Sequence, residues 1–236
     1  MTAPRSALVT GASRGIGLAV ARALAERGVR VAMLARTAAD LDEAARAIGE
    51  RAIPIRCDVG ASHEIGAALA RARRELGGAP DLVVNNAGRF TLARIDETDA
   101  DEFLRTLEVN LIGAFRIVRE FLPDMRARGS GHVVTIGSIA DHVAYPENGA
   151  YSASKYGVRG LHDVLRAELT GTGVRTTLVS PGPVDTPLWG SIDHERHEGL
   201  PTPSRMLPAE AVADAVIYAV TQPAAVNVDE LRLSRS

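Results

Sequence analysis

A tyrosine and a lysine four residues apart are the side chains of this sequence best suited to proton chemistry. Tyr151 and Lys155 enclose the segment Tyr-Ser-Ala-Ser-Lys. Lys155 is the single lysine among 27 basic residues, and the other 26 (27 minus one) are arginines. Arginine stays charged and projects a wide planar fork, whereas lysine is a compact ammonium whose pKa can shift. A proton-transfer site would therefore retain lysine. The alternative is a chance survivor, since tyrosine and lysine at this spacing are common neighbours on helix surfaces.

Length, charge and cysteine content restrict the class of protein. We expect one domain over residues 1–236, because no linker or change of composition divides the chain. A net charge of -2 and scattered basic residues argue against nucleic-acid or membrane partners. No segment approaches the roughly 20 apolar residues of a membrane span. The single cysteine, Cys57, excludes an internal disulfide and indicates a reducing, cytoplasmic location, and its apolar setting predicts a core residue.

Apolar runs and helical periodicity alternate along the whole chain. Short β-branched runs bounded by turn residues predict strands at 7–10, 29–35, 52–57, 81–85, 132–136, 174–180 and 226–233. Apolar residues at helical spacing predict helices at 15–27, 38–49, 61–76, 100–128, 151–169 and 208–221. Strict alternation of this kind predicts an α/β fold: a doubly wound, Rossmann-like parallel sheet of about seven strands with helices on both faces. Ligands of such sheets bind beyond the carboxyl ends of the strands.

Prolines mark three irregular places in this pattern. Pro54 predicts that the third strand lies at an edge of the sheet or has an imperfect ladder. Pro123 should kink or divide the helix predicted over 100–128. Residues 182–207 hold several prolines and mixed charge, and we expect a substrate loop or lid there, because long irregular segments in compact domains are often functional.

A glycine-rich turn follows the first strand. The segment Thr10-Gly11-Ala12-Ser13-Arg14-Gly15-Ile16-Gly17 leads into the first helix. Glycines there permit a tight turn and a close approach of the backbone to a pyrophosphate at the helix N-terminus. The alternative is an ordinary strand-to-helix turn.

The end of the second strand indicates which dinucleotide would bind. An NAD site usually has an acidic residue there that binds the ribose 2′-hydroxyl. This strand ends Leu34-Ala35-Arg36-Thr37, and Arg36 with Arg14 could instead bind a 2′-phosphate. Either arginine could also be an ordinary solvated surface group. The pattern favours NADP(H) over NAD(H).

These motifs together resemble the short-chain dehydrogenase/reductase family. The resemblance rests on Thr10-Gly11-x-x-x-Gly15-Ile16-Gly17, Asn85-Asn86-Ala87-Gly88, Ser138, Tyr151-x-x-x-Lys155 and Pro181-Gly182, in the order and spacing of the family. It extends over almost the whole chain. The resemblance implies a Rossmann-like fold and transfer of a hydride between a nicotinamide dinucleotide and a carbonyl or secondary alcohol.

The resemblance also implies a role for each matching position. The catalytic residues would be Asn110, Ser138, Tyr151 and Lys155, with Asn110 holding a water in a proton relay to Lys155. The cofactor-binding residues would be Gly11, Ser13, Arg14, Gly15, Ile16, Gly17, Arg36, Asp58, Val59, Asn85, Ala87, Gly88, Tyr151, Lys155, Pro181, Gly182, Val184 and Thr186. Asp58 and Val59 would meet the adenine, and Pro181 to Thr186 the nicotinamide carboxamide.

Tyr151 is the expected general acid/base of this chemistry. A free phenol has a pKa of about 10, and a nearby ammonium lowers that value because it favours the phenolate. Lys155 and an oxidised nicotinamide could both act in this way, and Ser138 could hydrogen-bond the substrate oxygen. No metal is needed, and His194 and His197 are interpreted as surface residues of the proline-rich segment.

The sequence indicates the substrate less closely than the cofactor or the catalytic residues. Phe90, Ile139, His142, Tyr145, Leu188 and Trp189 are the expected pocket residues. They suggest a small or medium-sized carbonyl or alcohol, and a 3-oxoacyl reductase is an alternative. The other class of function is a catalytically inert sensor or scaffold that binds a dinucleotide. The presence of all four expected catalytic residues favours an enzyme. Family members commonly form dimers or tetramers, and residues 100–128 and 151–169 are the expected contact faces.

Overall fold

The computed structural model describes residues 4–192 and 200–236, and in these ranges one parallel sheet dominates. Its strands lie in the spatial order β3-β2-β1-β4-β5-β6-β7. They are β1 (Ser6–Thr10), β2 (Arg30–Ala35), β3 (Ala52–Arg56), β4 (Leu82–Asn85), β5 (Gly131–Ile136), β6 (Val174–Pro181) and β7 (Glu230–Leu233). The predicted doubly wound sheet with seven strands is confirmed.

Helices cover both faces of this sheet. They are α1 (Gly15–Glu26), α2 (Ala38–Ile48), α3 (Ser62–Leu76), α4 (Ala100–Leu107), α5 (Gly113–Arg128), α6 (Gly149–Leu169) and α7 (Ala209–Thr221). Among the described residues, none of the helices combines the length and apolar character needed to cross a bilayer.

Alternate residues of each central strand enter two different cores. In β1, Val9 packs with α1, α2 and α7, whereas Leu8 packs with α3, α5 and α6. Successive side chains of a strand point to opposite faces, so a continuous apolar strand requires helices on both sides. Cys57 belongs to the second core and is 1% exposed, which confirms its prediction as a core residue. Burial raises the pKa of its thiol to about 12.

The chain reverses its direction of winding between β1 and β4. β1 pairs with β2 on one side and with β4 on the other. The connections after these two strands therefore diverge at the carboxyl edge and leave a crevice, which is where ligands bind in open α/β sheets.

Two predicted elements differ from the structure, and one proline prediction is confirmed. The helical stretch over 100–128 is interrupted by a π-helical turn, Glu108–Ile112, and α5 continues through Pro123. A π-helical turn inserts one extra residue and is frequent at functional sites. The last strand begins only at Glu230 instead of 226. Pro54 lies in β3, which is at the edge of the sheet as expected.

Candidate active site

A cleft of about 1660 Å³ runs along the carboxyl edge of the sheet. It collects most of the residues that the sequence motifs predicted for the site. Those that border it are Gly11, Ser13, Arg14, Gly15, Ile16, Arg36, Asp58, Val59, Ala87, Gly88, Ser138, Tyr151, Lys155, Pro181, Gly182, Val184 and Thr186. Three predicted residues, Gly17, Asn85 and Asn110, lie just behind its wall instead.

The glycine turn presents backbone amides to this cleft. Gly11 and Gly15 have φ values of 64° and 57°, in the left-handed region where a side chain is strained. No side chain caps the N-terminus of α1, and its first turn holds no acidic residue. Uncapped amides and the positive end of the helix dipole form a binding site for an anion such as a pyrophosphate.

Asn86 fixes the glycine turn, although the sequence motifs pointed to its neighbour Asn85. The Asn86 amide nitrogen Nδ2 donates to the carbonyl oxygens of Thr10 (2.8 Å) and Gly11 (3.3 Å). The Thr10 hydroxyl accepts hydrogen bonds from the backbone amides of Asn86 (3.0 Å) and Ala87 (2.9 Å). β1 and β4 are therefore clamped together at the point where their loops diverge.

Gly17 has a packing role in this clamp. A Cβ atom at this position would overlap the carbonyl oxygen of Gly11 and lie 2.5 Å from Nδ2 of Asn86. Only glycine lets α1 approach the turn so closely, and this is why Gly17 belongs to the motif without bordering the cleft.

Arg14, in the glycine turn, and Arg36, directly after β2, both border this cleft. Asp40, in the first turn of α2, also borders it. Asp58 lies nearby, and its carboxylate accepts a hydrogen bond from the Gly60 amide (3.0 Å), which shapes the turn after β3.

The ammonium of Lys155 is buried under Tyr151. Lys155 is 5% exposed, and its Nζ donates to the carbonyl oxygen of Ile136 at the end of β5 (2.8 Å). The same nitrogen lies 5.6 Å from the centre of the Tyr151 ring. One helical turn of α6 separates the two residues, so the pair predicted from spacing is brought together at the cleft.

The charge states of this pair are set mainly by burial. Desolvation lowers the pKa of Lys155 to about 8, against the opposing influence of the Asp141 carboxylate. Burial raises the pKa of Tyr151 to about 12, Asp141 raises it further, and the Ser138 side chain acts in the opposite direction. The expected lowering of the Tyr151 pKa was therefore wrong for the polypeptide by itself, because desolvation of the phenolate is the largest influence on it.

Asn110 lies in the π-helical turn and makes three side-chain hydrogen bonds. Its Oδ1 accepts from the Arg89 amide (2.8 Å), and its Nδ2 donates to the Arg89 carbonyl (3.0 Å) and the Ser154 hydroxyl (2.9 Å). Ser154 in turn donates to the Tyr151 carbonyl (2.6 Å). The side chain thus links the loop after β4 to the helix that bears Tyr151.

Asn85 faces a small void of about 10 Å³ beside Lys155. Asn110 and Thr135 border the same void, whose size is that of about one water molecule. The Oδ1 atom of Asn85 is buried and has no hydrogen-bond partner among the described residues. The void therefore lies directly against the Lys155 side chain.

Ser138 is held by a capping box that sequence reasoning missed. The Ser138 hydroxyl accepts from the Ala140 amide (3.1 Å), and the Asp141 carboxylate accepts from the Ser138 amide (3.2 Å). Serine followed three residues later by an acid is a recognisable signal of such a turn. Asp141 itself is 0% exposed.

Aromatic side chains form the wall beside Tyr151. The rings of Phe90 and Tyr151 meet edge to face with centres 4.8 Å apart, and Phe90 meets Trp189 in the same way at 5.1 Å. The other predicted pocket residues that border the cleft are Ile139, Tyr145 and Leu188. The prediction for His142 was wrong, because His142 does not border the cleft and its Nδ1 lies 2.6 Å from Asp141. His194 and His197 lie outside the described residues.

Comparison with known proteins places the chain in a family. The family model described as short chain dehydrogenase matches residues 5–197. The chain belongs to the short-chain dehydrogenase/reductase family. An uncharacterized oxidoreductase of Staphylococcus epidermidis is 33% identical over 227 residues, which are 96% of this chain and 95% of that protein.

Two further similar proteins have names that state an activity. Glycine betaine reductase ATRR of Emericella nidulans is 39% identical over 231 residues, which are 95% of this chain but only 18% of that protein. An alcohol dehydrogenase of the archaeon Thermococcus sibiricus, complexed with 5-hydroxy-NADP, has a TM-score of 0.87 and 32% identity, with coverage of 98% of this chain and 96% of that one. The resemblance deduced from the motifs is therefore confirmed.

Burial of Lys155 predicts a specific dependence of stability on pH. Because the pKa is about 8 in the folded chain and 10.5 for a solvated lysine side chain, the unfolded state binds more protons between these values, and stability rises with pH. Lys155→Met removes this contribution. The Lys155→Met variant should have a higher free energy of unfolding than the unsubstituted chain below pH 8. This difference should shrink by about 3 kcal/mol as the pH rises toward 10.5. Denaturant titrations from pH 7 to 10.5 measure this. A difference that does not vary with pH would contradict the buried charge.

Proposed function

We propose that this chain is an NADP(H)-dependent oxidoreductase that interconverts a carbonyl compound and its secondary alcohol, with Tyr151 as general acid/base. One observation carries the proposal: the buried ammonium of Lys155 lies under the Tyr151 ring in the cleft that also holds the glycine turn. Family membership supports hydride chemistry, and the site supplies the proton that such chemistry requires.

The residues present fit a nicotinamide dinucleotide. The uncapped amides of α1 suit a pyrophosphate, and the close packing of Gly17 on Gly11 leaves the backbone open to it. Pro181, Gly182, Val184 and Thr186 also border the cleft and would hold the nicotinamide end. When bound, the cofactor supplies or accepts the hydride.

The chain's own residues handle the proton. Tyr151 would donate its phenolic proton to the substrate oxygen during reduction and accept it during oxidation. Ser138 would donate a hydrogen bond to the same oxygen, where negative charge develops. The Lys155 ammonium stabilises the resulting phenolate, and the void bounded by Asn85 and Asn110, where one water fits, continues the polar route.

Substitution of Tyr151 tests this assignment. Tyr151→Phe should lower turnover by about 10²–10⁴-fold, the usual contribution of a general acid, while NADPH affinity stays within a few-fold. Lys155→Arg keeps the charge but should lose at least about 10-fold, because the planar fork cannot occupy the space of the ammonium. Tyr218→Phe, which alters a half-exposed tyrosine of α7, is the control.

The assay is NADPH oxidation with ketones, aldehydes and 3-oxo esters, and NADPH affinity is read from its fluorescence. A Tyr151→Phe variant that retains most of its turnover would refute the assignment. No turnover with any compound, together with tight NADPH binding, would favour an inert dinucleotide-binding relative. Preference for the 3-oxo esters would favour a 3-oxoacyl reductase.

NADP(H) is the proposed cofactor because two arginines, from the segments after β1 and β2, border the cleft together with the carboxylates of Asp40 and Asp58. Arg14 and Arg36 are present there, and the strand end carries no acid. The archaeal alcohol dehydrogenase with its 5-hydroxy-NADP supports the same choice. Asp40 is the acidic neighbour that could weaken the preference.

Arg36→Ala measures the preference directly. Loss of a charge-assisted hydrogen bond should reduce kcat/KM for NADPH about 10-fold or more and leave kcat/KM for NADH within about twofold. Arg46→Ala, at the other end of α2, is the matched control, because this arginine does not border the cleft. Equal efficiency of the unsubstituted chain with NADH and NADPH would overturn the cofactor assignment.

We also propose that the described parts of the segment 182–207, residues 182–192 and 200–207, form one wall of the substrate pocket. Two backbone hydrogen bonds join its described ends. The Leu207 amide donates to the Pro183 carbonyl (2.8 Å), and the Asp185 amide donates to the Leu207 carbonyl (2.8 Å). Trp189 is fixed by a hydrogen bond from its ring nitrogen to the Val184 carbonyl (2.9 Å). An aromatic, apolar wall next to Tyr151 suits small or medium-sized carbonyl compounds.

The proposed partner of α4 to α6 is a second copy of this chain. Leu104, Phe115, Tyr156 and Val164 on these helices are between 45% and 57% exposed, and such large apolar side chains favour association. Sedimentation should show a dimer or tetramer, and Leu104→Arg with Val164→Arg should dissociate it. A Tyr218→Arg control should not. A monomeric unsubstituted chain at micromolar concentration would contradict this proposal.

A further inference from the structure

Behind the catalytic serine lies a buried carboxylate, Asp141, on which five donor groups converge. Its Oδ2 accepts from the Ser138 amide (3.2 Å) and the Ser180 hydroxyl (2.6 Å). Its Oδ1 accepts from Arg159 Nε (3.1 Å) and Nη2 (3.0 Å) and contacts His142 Nδ1 at 2.6 Å. The donors come from the β5 loop, the end of β6 and helix α6. A single carboxylate therefore joins three of the segments that border the cleft.

The surrounding backbone is shaped to admit this carboxylate. A Cβ at Gly137 would lie 2.5 Å from Oδ2 of Asp141 and 2.7 Å from the Ser180 hydroxyl. Glycine at 137 leaves room for both groups directly before the catalytic Ser138. Ser180 precedes Pro181 and Gly182, which border the proposed nicotinamide end.

An ion pair across the sheet edge balances the charge of Asp141. Arg159 binds Asp141 and also Glu230 of β7, with Nη2 to Oε1 at 2.6 Å. Arg232 binds the same Glu230 oxygen (2.6 Å) and holds it on the outer side. The Arg159 guanidinium lowers the pKa of Glu230 to about 2, so this pair stays charged over the working pH range.

Asp141 also acts on the catalytic pair through its charge. Its carboxylate raises the pKa of Tyr151, which adds to the larger effect of burial. It also raises the pKa of Lys155, which opposes the larger effect of burial. Although burial opposes its ionisation, hydrogen bonds from His142, Ser180 and Ser138 hold the pKa of Asp141 below its usual value. The carboxylate is therefore a permanent negative charge beside the site.

We propose that Asp141 is a positioning residue of the active site: its carboxylate, bound by Arg159, fixes the Ser138 turn and keeps a negative charge beside Tyr151 and Lys155. This inference rests on the proposed function, because it concerns the same serine, tyrosine and lysine. Asp141 does not border the cleft and acts through these neighbours.

Asp141→Asn is the informative substitution, because it keeps the shape and removes the charge. Arg159 can only donate, so the carboxamide oxygen should take the Oδ1 position. The NH₂ group then faces the Ser180 hydroxyl, which can accept, and the Ser138 amide, which loses its acceptor. Arg159 keeps Glu230 as its partner, so no unpaired charge is buried and folding should be retained. Turnover should fall about 10-fold or more, while NADPH affinity should stay within about twofold.

A double-mutant cycle with Ser138→Ala separates positioning from a general loss of structure. If Asp141 acts through Ser138, Asp141→Asn should lower turnover less than about threefold in the Ser138→Ala background. Glu230→Gln is the matched control: it weakens the same ionic network without touching Ser138, and it should leave turnover within about twofold. Equal losses from Asp141→Asn in both backgrounds, or from Glu230→Gln, would overturn the proposal.

The pH dependence supplies a readout that a purely structural role would not change. Without the negative charge, the Tyr151 phenolate is favoured and the Lys155 ammonium disfavoured, so the ionising limb of alcohol oxidation should move down by about half a pH unit or more. The stability difference between Lys155 and Lys155→Met should likewise begin to change at lower pH in the Asp141→Asn background. His142, Arg159, Glu230 and Arg232 are the other titratable or charged side chains around Asp141, and both pH measurements retain them.

Turnover and stability measurements together distinguish a wrong role for Asp141 from a wrong proposed function. If the unsubstituted chain turns over none of the compounds in the panel, the proposed function fails, and the stability titration still tests Asp141. If turnover is present but Asp141→Asn leaves kcat, the pH profile and the Lys155 stability window unchanged, Asp141 is not a positioning residue.

Discussion

Burial of a single ammonium is the constraint on which the site depends. Lys155 lies almost out of contact with solvent, and desolvation of a charge costs free energy that only nearby polar groups can offset. The Ile136 carbonyl accepts a hydrogen bond from the ammonium, and the carboxylate of Asp141 favours its charged form. Both groups lie at or just after the end of β5, whereas Lys155 is on α6, so the cation is tolerable only where β5, the loop after it and α6 are correctly assembled.

The parallel sheet is what makes this assembly possible. Parallel strands end at one edge, so the loops after β1, β4, β5 and β6 meet there although they are far apart in sequence. Asn86 and Thr10 then clamp the first two of these loops, and Asp141 joins the last two to α6. The cleft therefore has a rigid floor, which suits chemistry that requires a hydride, a proton and a substrate oxygen to be aligned.

Local patterns predicted most of the elements and the residues that border the cleft. Apolar runs and glycine stops located the strands and helices, and the motif residues from Gly11 to Thr186 came together as expected. The errors have physical causes. Pro123 is tolerated inside α5, and the interruption occurs at the π-helical turn around Asn110, whose tertiary hydrogen bonds to Arg89 and Ser154 have no signature in local periodicity. Asn86 and not Asn85 binds the glycine turn, because the alternation of side chains at a strand end decides which of two adjacent amides faces it.

The amino-acid sequence by itself determined the fold class, the family and the pairing of Tyr151 with Lys155 at the cleft, because these depend on spacing along one strand or one helix. Only the tertiary structure decided how that pair is charged. The pKa of Tyr151 depends on desolvation by Phe90 and its neighbours and on Asp141, and none of these is adjacent to it in sequence. The network of Asp141, Arg159 and Glu230 likewise joins residues up to 89 positions apart (230 minus 141). Such long-range electrostatics exists only once the sheet has brought the groups together.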